Sequence, residues 1–308
     1  MEERLVGEAE AGLRADAWFL RQRPQASAAA VRQALAAGGL LCRGRALRKG
    51  DKVQAGDRLT IVREPREAPA LCANGELPLA LCHEDAALLA VNKPAGMACQ
   101  PNESCERDTL ANALLARYPE LAGVGDGPLT CGILHRIDGE TSGLVLVART
   151  QAVYQALRAQ FAEHRVSKRY VALAAGEIVR PGHLEHLLAH NPRCPGRMID
   201  ATRWHDAKRP MRAVTDYAPV RTLRLGGRPF TLLDVTIHTG VTHQIRAQLS
   251  LAGMPLLGDR RYGGFQLAGF ARHFLHAASA TFRHPTTGEA CTLRASLTAD
   301  LAELLARA

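Results

Sequence analysis

"GILHRIDGETSGLVLVART" (residues 132–150) sets His135, Arg136, Asp138 and Glu140 between two runs of aliphatic residues. The second run, "GLVLVA", reads as a buried strand, which leaves the charged residues on a loop at the rim of an apolar core. Arg136 and Asp138 are two positions apart, so on an extended segment they point to the same side. The glycine and Thr141-Ser142-Gly143 then turn the chain into the strand. This pattern suits a rigidly held carboxylate beside an arginine, and a salt-bridged loop capping a strand would look the same.

Working outward, "AALLAV" is a second buried-strand pattern, followed directly by the loop signal "NKPAG". "RTQAVYQALRAQFAEH" predicts a helix capped by Thr150, with Val153, Leu157 and Phe161 on one face. "SKRYVALAAG" predicts a strand. In "FTLLDVTIHTG", Leu233, Val235 and Ile237 alternate with Asp234 and Thr236, the mark of a half-buried strand. "THQIRAQLSLAG" predicts a helix with Thr242 as N-cap and Gly253 at its end. Two further strands, "HFLHAASATFRHP" and "ACTLRASL", precede a last helix over 298–307. The expected fold class is α/β of the α+β type: a mixed, largely antiparallel sheet with flanking helices.

The first 62 residues form a separate small α/β pattern. Trp18, Phe19 and Leu20 begin one helix, and "SAAAVRQALAAGG" forms a second, with Ser27 as N-cap and Gly38-Gly39 as its stop. Arg32 lies on that helix, and Arg43, Arg45, Arg48, Lys49 and Lys52 crowd the turn-rich segment after it. Residues 63–78 are rich in proline and charge and are expected to be a linker. The expected division is therefore 1–62, a linker over 63–78, and a large domain over 79–308.

With 308 residues and a formal charge of +9, from 39 Lys and Arg against 30 Asp and Glu, the chain favours a polyanionic partner. No apolar run nears the ~18 residues of a membrane span, and the charged N-terminus lacks a signal-peptide core, so a cytoplasmic protein is expected. Eight cysteines occur singly, with no Cys-x-x-Cys pair. The closest two, Cys99 and Cys105, have no histidines at ligand spacing, so no metal site is expected.

"HRIDGETSG" superficially resembles a kinase catalytic loop, but the asparagine, glycine-rich loop and metal-binding motif of that chemistry are missing. No nucleotide-binding glycine motif and no G-x-S-x-G elbow occurs. Asp138 and Glu140 lie too close along one short loop to flank a glycosidic bond from opposite sides.

The same residues resemble the central motif of the RluA-type pseudouridine synthases, H-R-L/I-D-x-x-T-S-G followed by aliphatic residues. Four more motifs follow the order of that family over about 79–297: "LAVNKPAGM", "SKRYVALAAG", "TGVTHQIRAQLSLAGMPLLGDRRYGG" and "LHAASATFRHPTTGE". The resemblance implies an RNA isomerase in which Asp138 carries catalysis. It also implies that Arg136 fills the gap left by the flipped uridine, Tyr170 stacks on the base, and Arg246 pairs with the aspartate. It marks Lys93, His135, Thr141, His243 and Gln244, all within its motifs, as substrate-binding. Val241 and Gln100 depart from it, standing where arginine or lysine, and histidine, are usual.

No cofactor or metal is implied, because uridine isomerisation is redox-neutral and adds no water. The first 62 residues resemble the S-four-like RNA-binding domain, with Arg43 where asparagine is usual. That implies contact with structured RNA through Arg32, Arg43, Arg45 and Lys49. A monomer acting on ribosomal RNA in preference to transfer RNA is expected. The rival is a catalytically silent RNA-binding or ribosome-assembly protein on the same fold.

Overall fold

The computed structural model describes residues 2–24, 26, 28–65, 70–103, 106–204 and 207–307; Ser27 and Cys105 lie outside them. The chain divides into two compact units, Met1–Ala70 and Leu71–Ala308.

The first unit holds strands β1 (Glu2–Leu5), β2 (Leu40–Cys42), β3 (Arg45–Ala46) and β4 (Arg58–Ile61), with helices α1 (Ala15–Gln22) and α2 (Ala28–Ala36). The strands form an antiparallel sheet in the order β1-β4-β2-β3. Trp18, Phe19, Val31, Leu35, Leu40, Leu59 and Ile61 make its core. Cys42 pairs with Arg45, so Arg43 and Gly44 alone make the hairpin turn, at φ 50° and 78°. Positive φ at both central residues is the type I′ requirement.

The second unit is built on a sheet that, among the described residues, has ten strands. They are β5 (Leu81–Glu84), β6 (Leu88–Lys93), β7 (Ser142–Ala148), β8 (Ser167–Ala175), β9 (Gly182–His190), β10 (Met198–Asp200), β11 (Met211–Leu225), β12 (Arg228–Ile237), β13 (Leu275–Arg283) and β14 (Ala290–Arg294). The order is β10-β9-β11-β12-β8-β13-β7-β6-β5, with β14 beside β13. All pairings are antiparallel except β7 with β13. Helices α3 (Leu110–Arg117), α4 (Gln151–Ala162), α5 (Gln244–Leu251) and α6 (Ala299–Ala306) complete it.

The uninterrupted apolar runs of β6 and β7 follow from cover on both faces. Leu88, Ala90, Leu144 and Leu146 pack with Tyr154 and Leu157 of α4, while Leu89, Val91, Val145 and Val147 pack with Leu110 and Leu114 of α3. The alternation expected in β12 is present from Leu233 to Ile237, where it packs on Ile245 and Leu249 of α5. Thr150 caps α4 as expected, accepting the Val153 N–H at 3.3 Å. Within the segment read as a linker, Leu71 and Leu77 pack on the α3 side of the second unit, because the apolar residues there find cover.

One expected cap is corrected. α5 starts at Gln244, and its N-cap is His243 at φ 52°, not Thr242. The Gln244 side chain accepts from the Thr239 hydroxyl and the Val241 N–H, and this holds the entry turn in place of a hydroxyl cap. Gly253, at φ 78°, follows the helix as expected. Gly143 is demanded by packing: at φ 116°, a Cβ there would lie 2.3 Å from the Ala277 carbonyl oxygen. That close approach seats β13 against the start of β7.

Candidate active site

The loop before β7 is fastened from several directions. The Gly139 carbonyl accepts from Lys93 Nζ at 3.0 Å and from the Gly96 N–H at 2.9 Å. Lys93 also donates to the Pro94 and Met97 carbonyls, and its side chain is wholly buried. Burial lowers its pKa to about 8. The Glu140 carbonyl accepts from Arg272, itself paired with Asp300. The Thr141 hydroxyl meets His273 Nε2 at 2.7 Å, and the Ile137 N–H meets Cys99 Sγ at 3.5 Å. His135 Nε2 accepts the Leu146 N–H at 3.1 Å. These contacts hold Asp138 in place without using its own carboxylate.

That carboxylate faces a cavity of about 680 Å³. Arg246 Nη1 donates to Asp138 Oδ2 at 2.8 Å, and the rest of the Arg246 fork binds Asp259, Nε to Oδ2 at 2.7 Å and Nη2 to Oδ1 at 3.0 Å. Asp259 also accepts the N–H groups of Arg261 and Tyr262. Its pKa is lowered: burial pushes it up, and the Arg246 hydrogen bonds and charge more than offset that. The Arg246 guanidinium lies 5.2 Å from the Tyr262 ring centroid. Tyr170 lines the same cavity almost fully buried, and burial, with Asp138 nearby, raises its phenol pKa. Arg136 lines it exposed and, among the described residues, without an ion pair. His243 completes this side, with Nε2 3.8 Å from Asp138 Oδ2.

A family model described as RNA pseudouridylate synthase matches residues 87–251, a span that contains the Asp138 loop, Tyr170 and Arg246. The chain belongs to that family. Similar proteins include a ribosomal large subunit pseudouridine synthase D of Xanthomonas campestris, 31% identical over 99% of this chain and 92% of its own length. Another of that name from Zymomonas mobilis is 37% identical over 77% and 75%. An uncharacterized RNA pseudouridine synthase of Bacillus subtilis is 33% identical over 89% and 87%. Among solved structures, human RNA pseudouridylate synthase domain containing 1 superposes with a TM-score of 0.58 at 26% identity, covering 71% of this chain and 84% of that one. As a pseudouridine synthase, the chain is an isomerase acting on RNA.

Of the synthase residues expected from sequence, Asp138, Arg246, Tyr170, Arg136, His135, Thr141, His243 and Gln244 line one cavity. Several of the residues expected from sequence are also engaged within the protein. Lys93 lies behind the loop with its ammonium on three carbonyls. Gln244 is 3% exposed, and its amide is bound to Thr239, Val241, Val214 and Thr215. The Thr141 hydroxyl and His135 Nε2 are occupied as described, and burial lowers the His135 pKa to about 3.

Arg32, Arg43, Arg45 and Lys49 are exposed on the first unit, where Arg43 faces Asp57 at 3.8 Å and Arg45 faces Asp51 at 3.7 Å. Val241 and Gln100 both line the cavity wall. Sequence reasoning missed Asp259, Tyr262, Arg272 and His273. The first two sit in the "GDRRY" stretch, which was matched as a motif without a role. Among the described residues, no group of three or more His, Cys, Asp or Glu is arranged to hold a metal, and no helix is long and apolar enough to cross a membrane.

Proposed function

We propose that this synthase isomerises uridines of large-subunit ribosomal RNA to pseudouridine, with Asp138 as its catalytic carboxylate. The observation that carries this is the Asp138–Arg246 pair at 2.8 Å, in a cavity walled by Tyr170 and Arg136. The reaction breaks the C1′–N1 bond, turns the uracil and rejoins it through C5 to the same carbon. The detached base is the second reactant, so one carboxylate serves where hydrolysis needs two. Arg246 holds the Asp138 oxygen toward the target ribose. Extrusion of the nucleotide costs a few kcal/mol of unstacking. Arg136 fills the vacated place in the RNA stack and Tyr170 stacks on the flipped uracil, which offsets that cost.

The choice of ribosomal RNA is supported by the names of the relatives and by the basic face of the first unit, read here as an S-four-like RNA-binding domain acting as part of a monomer. Asp138→Asn is expected to abolish tritium release from 5-tritiated uridine RNA while binding RNA within a few-fold of wild type. Turnover near the wild-type rate would refute the assignment. Changing Arg32, Arg45 and Lys49 to Ala in the full chain should weaken binding and reduce the salt slope by about 0.7–0.9 per lost phosphate contact. An unchanged slope would remove the first unit from the RNA interface.

A further inference from the structure

The hydrogen bonds around Tyr262 leave one consistent arrangement. Its hydroxyl accepts the Met198 N–H at 2.8 Å and lies 3.0 Å from His243 Nδ1. A backbone N–H can only donate, so the phenol proton needs an acceptor of its own. Among the described residues the hydroxyl has no other partner, and Tyr262 is 3% exposed. Leaving that proton unbonded would carry the full desolvation cost of a buried donor. Tyr262 therefore donates to Nδ1, and the ring proton of neutral His243 resides on Nε2. The rings meet edge to face, with centroids 5.7 Å apart, which fixes the imidazole plane.

His243 lines the cavity, and its Nε2 is the ring nitrogen on the Asp138 side, 3.8 Å from Oδ2. That separation is too long for a hydrogen bond, so the N–H is unspent within the described residues. The charged groups around His243 are Asp138, Arg246, Arg261 and Asp259; burial, the largest influence, lowers its pKa and so favours the neutral ring.

We propose that Tyr262 is a positioning residue that sets the tautomer of His243, and that the His243 Nε2–H donates to a carbonyl oxygen of the target uracil beside Asp138. This rests on the reading of Asp138 as the catalytic carboxylate. When C1′–N1 breaks, the bonding pair moves onto the uracil and is delocalised over its carbonyl oxygens. When C5 bonds to C1′, the pair is returned, C5 gives up its proton and N1 acquires one. His243 keeps its own proton throughout. A fixed neutral donor aimed at the oxygen where charge grows needs no reorganisation as the bond breaks.

The side-chain amide of glutamine reaches the place of Nε2, and that of asparagine the place of Nδ1. His243→Gln should therefore stay within about 10-fold of wild type in single-turnover rate at saturating RNA, while His243→Asn and His243→Ala fall by about 100-fold or more. Proton–nitrogen correlation spectra of histidine-labelled wild type should show His243 protonated on Nε2. In Tyr262→Phe that signature should give way to a mixture of tautomers, with a loss of rate and little change in RNA affinity. A wild-type His243 protonated on Nδ1, or a Gln variant no better than Asn, would overturn the proposal. If Asp138→Asn were inactive and the Gln and Asn variants equal, this inference alone would fail. If Asp138→Asn were active, the reading of the site would fail first.

Discussion

Arg246 holds Asp259 with two parallel hydrogen bonds of 2.7 and 3.0 Å, and the third arm of the same guanidinium reaches Asp138. The carboxylate in the cavity is thus aimed by a carboxylate that substrate cannot reach. Bidentate pairing sets the plane of the guanidinium as well as its place.

Asp259→Asn should separate aim from binding. The amide presents a donor to one arm of the fork, so Arg246 loses its fixed plane. Breaking a buried pair from one side typically costs 3–5 kcal/mol. Urea unfolding should show a loss of that size. The single-turnover rate at saturating RNA should fall, with RNA affinity held within a few-fold. Wild-type rate in a destabilised but folded variant would show that Asp259 only props the fold.

Lys93 makes stability depend on alkaline pH. Its folded pKa of about 8 lies below the unfolded value of 10.5, so between these the unfolded chain binds more protons. Stability contributed by this group therefore rises with pH across that window, by up to about 3 kcal/mol. Lys93→Met lacks the titration and strands three carbonyls. Paired unfolding curves at pH 7.5 and 9.5 should show wild type gaining on the variant, and a constant gap would rule out the depressed lysine.

On the acid side, His273 is the clearest liability. It is 1% exposed, and burial, assisted by Arg246, lowers its pKa from 6.5 to about 4. Between those values the unfolded state takes the proton first, so stability falls as pH drops from 6.5 toward 4, by about 3 kcal/mol from this residue. His273→Gln should lose less over that range than wild type does. Parallel stability profiles for the two proteins would contradict the assignment.

Arg43 occupies a left-handed position that asparagine tolerates better. Arg43→Asn should stabilise the first unit by about 0.5 kcal/mol, since an ordinary L-residue in that conformation costs about 1–2 kcal/mol. A higher midpoint in thermal unfolding is the expected result. A lower one would mean that the ion pair of Arg43 with Asp57 outweighs the strain.

Legibility differed by element for physical reasons. β6 and β7 were readable because cover on both faces makes Leu88–Val91 and Leu144–Ala148 apolar throughout, and α4 because Thr150 caps an amphipathic run. β9 and β11 went unread: in β11 exposed and buried residues follow one another without sustained alternation from Met211 to Leu225. At the site, Asp138 and Arg246 stood out inside their motifs. Asp259 and His273 did not, because a buried polar residue and a solvated one are written with the same letter. Only the folded chain shows that Lys93 and Gln244 are fully bonded inside.

The parallel seam between β7 and β13 also bears on synthesis. It joins Ser142 to His276, and its neighbours join Thr141 to His273 and Asp138 to Arg246, partners 134, 132 and 108 positions apart. Closing such long loops comes late in folding, after local turns and helices have formed. A ribosome-bound chain that has exposed the Asp138 loop still lacks the arginine that aims it and the strand that seats it.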